Sequence, residues 1–177
     1  MDRPALEARL AQLPIAQYAF FRPQDLPFSG RVRTVCEAEC PRYGKSWSCP
    51  PAVGSVEACK ARCLACDEGL VIVTLAEVAD PADMAQGLAT LPAHEAVTRK
   101  VAALLESQGG SVLTLGARSC AACKECTYPA ASCRRPEQMF PCVEGFGIVV
   151  SALAERCSIE ADYGNNVLPW FSVFLIR

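Results

Sequence analysis

Apolar residues follow two different periods along this chain, and together these periods predict strands and helices in alternation. Three continuous apolar runs, at 69–75, 111–115 and 170–176, have the length and residue types of buried strands. Polar and apolar residues alternate at 31–36, which predicts a further short strand. Residues 18–30 contain two prolines and a Ser-Gly pair, which predict an extended segment followed by a loop.

Helical spacing of apolar residues predicts four helices, at 4–13, 55–67, 94–108 and 144–157. The clearest of them is 94–108, which follows Pro92 and ends at Gly109-Gly110. Because this helix joins two apolar runs, the segment 69–115 predicts a βαβ unit with a right-handed crossover.

These elements predict an α/β fold in a single domain over residues 1–177, with a small mixed sheet that includes the βαβ unit. Two cysteine-rich, metal-binding loops, at about 36–66 and 118–142, are expected to interrupt the regular elements. We expect both loops to leave the carboxyl ends of strands, where open α/β sheets place their ligands.

The composition indicates that any metal site in this chain is built mainly from cysteine thiols. The chain has 12 cysteines and one histidine, His94, which excludes a metal site built from two or more imidazoles of one chain. The formal charge of −2 argues against a nucleic-acid partner. The charged N-terminal residues predict no signal peptide, and no apolar run approaches the ~20 residues that span a membrane. We therefore expect a cytoplasmic protein with no membrane association, where thiols bind metal or do redox chemistry more often than they form disulfides.

The second cysteine-rich loop carries the most specific motif. Its cysteines follow the spacing C-x2-C-x2-C-x6-C, at Cys120, Cys123, Cys126 and Cys133. Three thiols at i, i+3 and i+6 allow one loop to wrap an iron–sulfur cube, as in bacterial ferredoxins. Zinc sites more often use two C-x2-C pairs separated by a dozen or more residues, so zinc is the alternative.

The first cysteine-rich loop offers Cys36, Cys40 and Cys49 among prolines and glycines, and it needs a fourth ligand. Cys59 and Cys63, on the following predicted helix, are the candidates. They also lie on an apolar seam with Val56 and Cys66, and free cysteine packs well as a small apolar residue, so a structural role is open for both.

The remaining cysteines, Cys66, Cys142 and Cys157, are expected to be structural. Tyr43, Lys45 and Trp47 are candidates to line a pocket for a cofactor or partner. Nearby cations would stabilise an anionic cluster, and five basic residues flank the cysteines: Arg42, Lys45, Lys124, Arg134 and Arg135.

Longer stretches carry a family resemblance. The strings RYGKSWSCPPAVG, CKARC, CKECTYPAASCRRPE and EGFGIVVSALAE resemble a prokaryotic family of predicted metal-binding proteins, domain of unknown function 2284, from about residue 32 onward. The resemblance implies a shared cysteine set of Cys36, Cys40, Cys49, Cys120, Cys123, Cys126 and Cys133. It implies that Cys59 and Cys63 occur in one branch of the family, and that Cys66, Cys142 and Cys157 lie outside the pattern. Some relatives carry a cysteine near the position of Phe146, which this chain lacks.

The leading hypothesis is a protein with one or two [4Fe–4S] clusters, more an electron-transfer protein with a redox partner than a stand-alone enzyme. The first alternative is a zinc-stabilised binding module with four-thiolate sites. The second is an enzyme whose cluster keeps an open iron position for a bound organic cofactor or substrate. Thiol–disulfide exchange through Cys120 and Cys123 or Cys63 and Cys66 would leave the other cysteines unexplained.

Overall fold

The computed structural model describes residues 2–177. These residues form five α-helices: α1 (Arg3–Leu10), α2 (Gly30–Glu39), α3 (Val56–Leu64), α4 (Met84–Glu106) and α5 (Val150–Arg156). Four strands form one sheet: β1 (Gln17–Phe21), β2 (Glu68–Glu77), β3 (Val112–Leu115) and β4 (Val167–Ile176). The α/β class predicted from the sequence is confirmed. Within 2–177, no helix is both long and apolar enough to cross a membrane.

The sheet has the order β1-β2-β4-β3, and every neighbouring pair is antiparallel. Because β2 and β3 both run antiparallel to β4, they are parallel to each other, as the β2-α4-β3 unit requires. The C-terminal strand β4 lies between them and pairs with β2 over ten residues, from Glu68↔Ile176 to Glu77↔Val167. The sequence predicted a mixed sheet, but every pair in the structure is antiparallel. The reason is that β4 lies between the parallel strands β2 and β3, so that these two do not pair with each other.

The two faces of the sheet bury separate apolar clusters, because successive side chains of a strand point to opposite faces. Leu70, Ile72 and Phe174 pack with α1 and α4 on one face. Val71 and Val173 pack on the other face with Phe146 and the residues of α3 and α5. Both cysteine-rich loops are joined to this frame without forming part of its strands.

Residues 31–36, predicted to be a strand, lie in helix α2. Ser29 caps this helix by accepting a hydrogen bond at Oγ from the backbone N–H of Arg31, 3.2 Å away. The prediction was wrong because Val32, Val35 and Cys36 also fit the i, i+3, i+4 spacing of a helix. The first cysteine-rich loop thus leaves a helix, whereas the second follows the carboxyl end of β3 as expected.

The boundaries of two predicted helices also differ from the structure. Helix α4 begins ten residues earlier than predicted, and Pro92 lies inside it. Asp83 caps its first turn, and Pro92, which has no N–H, leaves the backbone oxygen of half-exposed Leu88 without its usual helical partner. The predicted helix 144–157 is divided by Gly147, whose φ of 82° ends a short 3-10 turn (Glu144–Phe146) before α5.

His94 is the centre of a buried polar network between α4 and the sheet. Its Nδ1 lies 2.8 Å from Thr74 Oγ1, and its Nε2 lies 2.8 Å from Ser172 Oγ. The hydroxyl of Thr98 lies 2.8 Å from the same Ser172 Oγ. Burial lowers the pKa of His94 to about 4, although hydrogen bonding at Phe171 and the charge of Glu95 oppose the shift. The neutral imidazole is therefore the form that the fold stabilises.

We expect the free energy of unfolding to decrease as pH falls from 6.5 to about 4. In this range His94 becomes protonated in the unfolded state but stays neutral in the folded state. The contribution of this residue is about 3 kcal/mol. Because the chain has one histidine, an NMR titration of the untagged protein follows its imidazole directly. A midpoint near 6.5 would contradict the buried, neutral assignment.

Candidate metal centre

The four cysteines of the second loop surround one cavity. Cys120, Cys123, Cys126 and Cys133 all line it, together with Trp47 from the first loop, and it is partly open to solvent. The segment has little regular structure beyond a 3-10 turn at Pro136–Gln138. The four cysteines, which are close together in the sequence, therefore line the same cavity.

Hydrogen bonds hold the wall of this cavity in place. Trp47 donates from Nε1 to the carbonyl of Ala131 at 3.0 Å, and its ring meets Tyr128 edge to face at 4.9 Å. Thr127 donates from Oγ1 to the carbonyl of Ser132 at 2.8 Å, which closes the turn between Cys126 and Cys133. Arg135 donates to the carbonyl of Ala122. The loop is thus ordered by its own polar groups and by one aromatic residue of the first loop.

Cys126 has the environment of a metal-binding thiolate. Burial acts to raise its pKa, but hydrogen bonds from the backbone of Tyr128 and Trp47, the side chain of Ser46 and the charge of Arg42 together lower it below its ordinary value. The thiolate is the form of cysteine that binds metal. At Cys120 burial raises the pKa, and the backbone N–H of Ala122, 3.4 Å from Sγ, opposes this.

The cysteines of the first loop lie near one another. Cys36 is in the last turn of α2, Cys40 directly follows that helix, and Cys49 is buried. Burial raises the pKa of Cys36, and the neighbouring Cys40 thiol raises it further. Burial also raises the pKa of Cys49, and Cys40 contributes there as well. The three thiols predicted from the sequence therefore share one electrostatic environment.

Cys142 belongs to the same neighbourhood, although its sequence context predicted a structural role. Its backbone N–H donates to the carbonyl of Ser48 at 3.0 Å, and its thiol donates to Glu144 Oε2 at 2.9 Å. Burial, the charge of Glu144 and a smaller effect of Cys49 raise the pKa of Cys142 well above its ordinary value. The resemblance implied a cysteine near Phe146 in some relatives, and the backbone N–H of Phe146 donates to the carbonyl of Cys142 at 3.2 Å, so the two positions are close.

Cys59 and Cys63, the predicted fourth ligands, are fully buried in the apolar cluster that contains Phe146. The thiol of Cys59 donates to the carbonyl of Val53 at 3.4 Å, and Arg33 Nη2 lies 3.9 Å from its sulfur. Burial raises the pKa of Cys63 to about 12, which disfavours the thiolate. Cys66 and Cys157 pack at the edge of the same cluster. These contacts are those of packed thiols.

Ser48 connects the two loops. Its Oγ accepts a hydrogen bond from the backbone N–H of Cys120 at 2.8 Å, and its carbonyl accepts the one from Cys142. A second link runs from Arg42 Nε to Ser119 Oγ at 3.1 Å. Ser48 itself is completely buried. The two cysteine sets are therefore adjacent, with one serine between them.

The three candidate pocket residues have different positions. Trp47 lines the cavity of the second loop, but Tyr43 and Lys45 lie outside that lining. Tyr43 donates its backbone N–H to the carbonyl of Cys40, and the backbone N–H of Lys45 donates to Arg42. Only Trp47 is thus placed against the cysteine-lined cavity.

Within residues 2–177, no three side chains of Cys, His, Asp or Glu converge closely enough to hold one metal ion. With a zinc–sulfur bond of about 2.3 Å, four thiolates on a single zinc ion stand about 3.8 Å apart. In a cubane cluster each thiolate binds a different iron, so the four sulfurs surround a larger volume. The four thiols of the second loop line one cavity without converging on a single point.

The fold and this site define a cysteine-rich α/β protein of the metal-binding class. Residues 19–176 match the model of the family described as predicted metal-binding protein, DUF2284. Because the match covers most of the chain, the protein belongs to this family, as its sequence strings indicated. No curated protein and no solved structure matches the chain.

We expect Ser48→Ala to lower the free energy of unfolding by about 1–3 kcal/mol, because the N–H of Cys120 would lose its acceptor next to a buried position. Urea denaturation measures this loss. Ser151→Ala, at an exposed position of α5, is the matched control and should change stability by less than about 0.5 kcal/mol. Equal losses in the two variants would show that Ser48 does not hold the loops together.

Proposed function

We propose that this protein holds two [4Fe–4S] clusters and exchanges electrons with a redox partner protein. The observation that carries the proposal is the common lining of one cavity by the four cysteines of the C-x2-C-x2-C-x6-C motif. Such a cluster supplies one-electron transfer at a potential set by charge, hydrogen bonds to sulfur and solvent exposure. The residues around the cavity would set the charge, the hydrogen bonds to sulfur and the solvent exposure of such a cluster.

At the second centre, the ligands in this proposal are Cys120, Cys123, Cys126 and Cys133. A cluster with four thiolate ligands is anionic, and Arg134 and Arg135 line the same cavity. The lowered pKa of Cys126 favours the charged sulfur there, and the N–H of Ala122 directed at Cys120 opposes the burial that raises the pKa of that thiol. The donor set and the surrounding charges thus fit the group.

At the first centre, Cys36, Cys40 and Cys49 are three of the ligands, and we assign Cys142 as the fourth. It is hydrogen-bonded to Ser48, the residue before Cys49, and its thiol is influenced by Cys49. Cys59 and Cys63 are instead buried in the apolar cluster, where Cys59 also contacts the Val53 carbonyl and Arg33. Movement of either thiol toward the loop would open a cavity in the core.

The proposed centres are neighbours, because Ser48 contacts the backbone of both Cys120 and Cys142. This supports passage of electrons from one centre to the other. Lys124, Arg134 and Arg135 are exposed around the second centre, so a partner with an acidic face fits this end of the molecule.

Anaerobic purification tests the cluster assignment. We expect a brown protein with about eight iron and eight acid-labile sulfide per chain, and visible absorption that dithionite bleaches. The four-thiolate zinc alternative gives a colourless protein whose spectrum dithionite does not change. That result would overturn the proposal.

Replacement of Cys142 by alanine tests the fourth ligand. We expect Cys142→Ala to reduce the iron content to about half while the second centre keeps its EPR signal, because only the first centre loses a thiolate. Cys157→Ala is the matched control, since Cys157 is a partly buried thiol at the end of α5, outside both loops in the sequence. If Cys142→Ala keeps its iron and Cys59→Ala or Cys63→Ala loses half, the fourth ligand lies on α3.

A further inference from the structure

Two buried serine hydroxyls lie between the two proposed centres. Ser46 and Ser48 are almost completely buried, and their Oγ atoms are 2.9 Å apart. Ser46 borders the cavity that the cysteines of the second loop line. Ser48 Oγ lies 3.8 Å from the sulfur of Cys49 in the first loop. This hydroxyl pair, Ser46 and Ser48, therefore has one end at each centre.

Both ends of the hydroxyl pair meet a proposed metal ligand. The side chain of Ser46 is hydrogen-bonded to Cys126, and that of Ser48 to Cys49. A cysteine that binds metal is a thiolate, which has no hydrogen and can only accept. In the loaded protein, each of these hydrogen bonds must therefore use the hydroxyl hydrogen of the serine.

The hydroxyl pair has fewer hydrogens than contacts. Each serine carries one hydroxyl hydrogen, so two hydrogens serve three contacts, namely one to each sulfur and one between the two oxygens. If both hydrogens turned to sulfur, two buried oxygens would face each other with no hydrogen between them, which costs free energy. In one satisfied arrangement, Ser48 donates to Ser46 and Ser46 donates to Cys126. In the other, Ser46 donates to Ser48 and Ser48 donates to Cys49.

The backbone holds the two oxygens in place and leaves both arrangements open. The N–H of Cys120 donates to Ser48 Oγ at 2.8 Å, and the N–H of Ser48 donates to Ser46 Oγ at 3.3 Å. Neither contact uses a hydroxyl hydrogen. Because a hydroxyl hydrogen rotates about its C–O bond, the pair can reverse without movement of any heavier atom.

The other donors to these two sulfurs have a fixed direction. Backbone groups of neighbouring residues, including Trp47, are hydrogen-bonded to Cys126. The hydroxyl of Ser119 is hydrogen-bonded to Cys49, and its oxygen accepts from Arg42 Nε at 3.1 Å. The hydroxyl pair is thus the part of this hydrogen bonding that can pass from one sulfur to the other.

We propose that the hydroxyl pair donates its hydrogen bond to one centre at a time and thereby couples the reduction potentials of the two centres. Ser46 and Ser48 are positioning residues in this proposal, because they act through the cysteine sulfurs. The inference rests on the function proposed above, since it requires a cluster on each side of the pair.

Reduction supplies the reason for the reversal. When one electron from the redox partner enters one centre, the negative charge on its sulfurs increases and a hydrogen bond to them becomes stronger. The hydroxyl pair then turns toward that centre. The other centre loses a donor and becomes harder to reduce. Each hydrogen stays on its own oxygen, so the electron is all that is exchanged with the partner.

Ser46→Ala tests the coupling. It removes the hydroxyl donor to Cys126 and leaves the hydrogen of Ser48 to Cys49. We expect the potential of the second centre to fall while that of the first stays or rises. The ratio of the two one-electron-reduced forms should shift at least tenfold toward the first centre, which is about 59 mV in the difference between the potentials. EPR-monitored redox titration of anaerobic protein whose iron has been counted measures both potentials.

Ser48→Ala is the reciprocal variant. It leaves the hydrogen of Ser46 to Cys126, so we expect the ratio of the reduced forms to shift toward the second centre. A merely structural role of these serines would move both potentials in the same direction or lower the iron content. If Ser46→Ala does not fold, the direction of the shift in Ser48→Ala alone decides.

Three further variants make the comparison sharp. Ser46→Thr keeps the hydroxyl and should restore the potentials of the natural sequence. Ser132→Ala, at an exposed position of the second loop, is the matched control and should leave both potentials unchanged. Cys36→Ala removes a ligand of the first centre, so its remaining EPR signal identifies the second.

The outcomes separate this inference from the proposed function. An iron-loaded protein whose two potentials fall together in Ser46→Ala, or do not move, overturns the coupling and leaves the clusters in place. A protein with no cluster, or with one, overturns the coupling as well, and the iron count then shows that the proposed function itself has failed. Opposite shifts in Ser46→Ala and Ser48→Ala support the coupling.

Discussion

The hydrogen bonds of Ser48 are the constraint on which the cysteine-rich half of the molecule depends. Loops without regular structure must still pair their buried backbone groups. Ser48 accepts one N–H at its hydroxyl from Cys120 and another at its carbonyl from Cys142. A single buried residue therefore joins a loop that follows a helix to a loop that follows a strand. The proximity of the two thiol sets is a consequence of this pairing.

Burial divides the cysteines into two groups with different chemistry. Cys59 and Cys63 are surrounded by apolar side chains, where desolvation disfavours a thiolate. Cys126, in contrast, lies among hydrogen-bond donors and near Arg42, which favour the thiolate. Cysteine thus packs in the apolar cluster that contains Phe146 and is a candidate metal ligand in the loops. Neighbouring dipoles and charges decide which role each position takes.

The face of the sheet that packs against α4 is polar at one end. His94, Thr98 and Ser172 satisfy one another there, in a region that would otherwise be filled by apolar side chains. This polar end lies beside Gly116 and Cys120, where β3 passes into the second loop. The network of His94 therefore borders the segment that carries the first cysteine of the C-x2-C-x2-C-x6-C motif.

The sequence by itself determined the α/β class, the buried strands β2, β3 and β4, and the family, because these depend on local apolar runs and contiguous strings. It also determined that four cysteines of the second loop share one cavity, since their spacing is short enough for one turn of chain to bring them together. Only the tertiary structure decided that β4 lies between β2 and β3 and that Cys142 lies beside Cys49. Each of these depends on contacts between residues far apart in the chain, for which local periodicity carries no information.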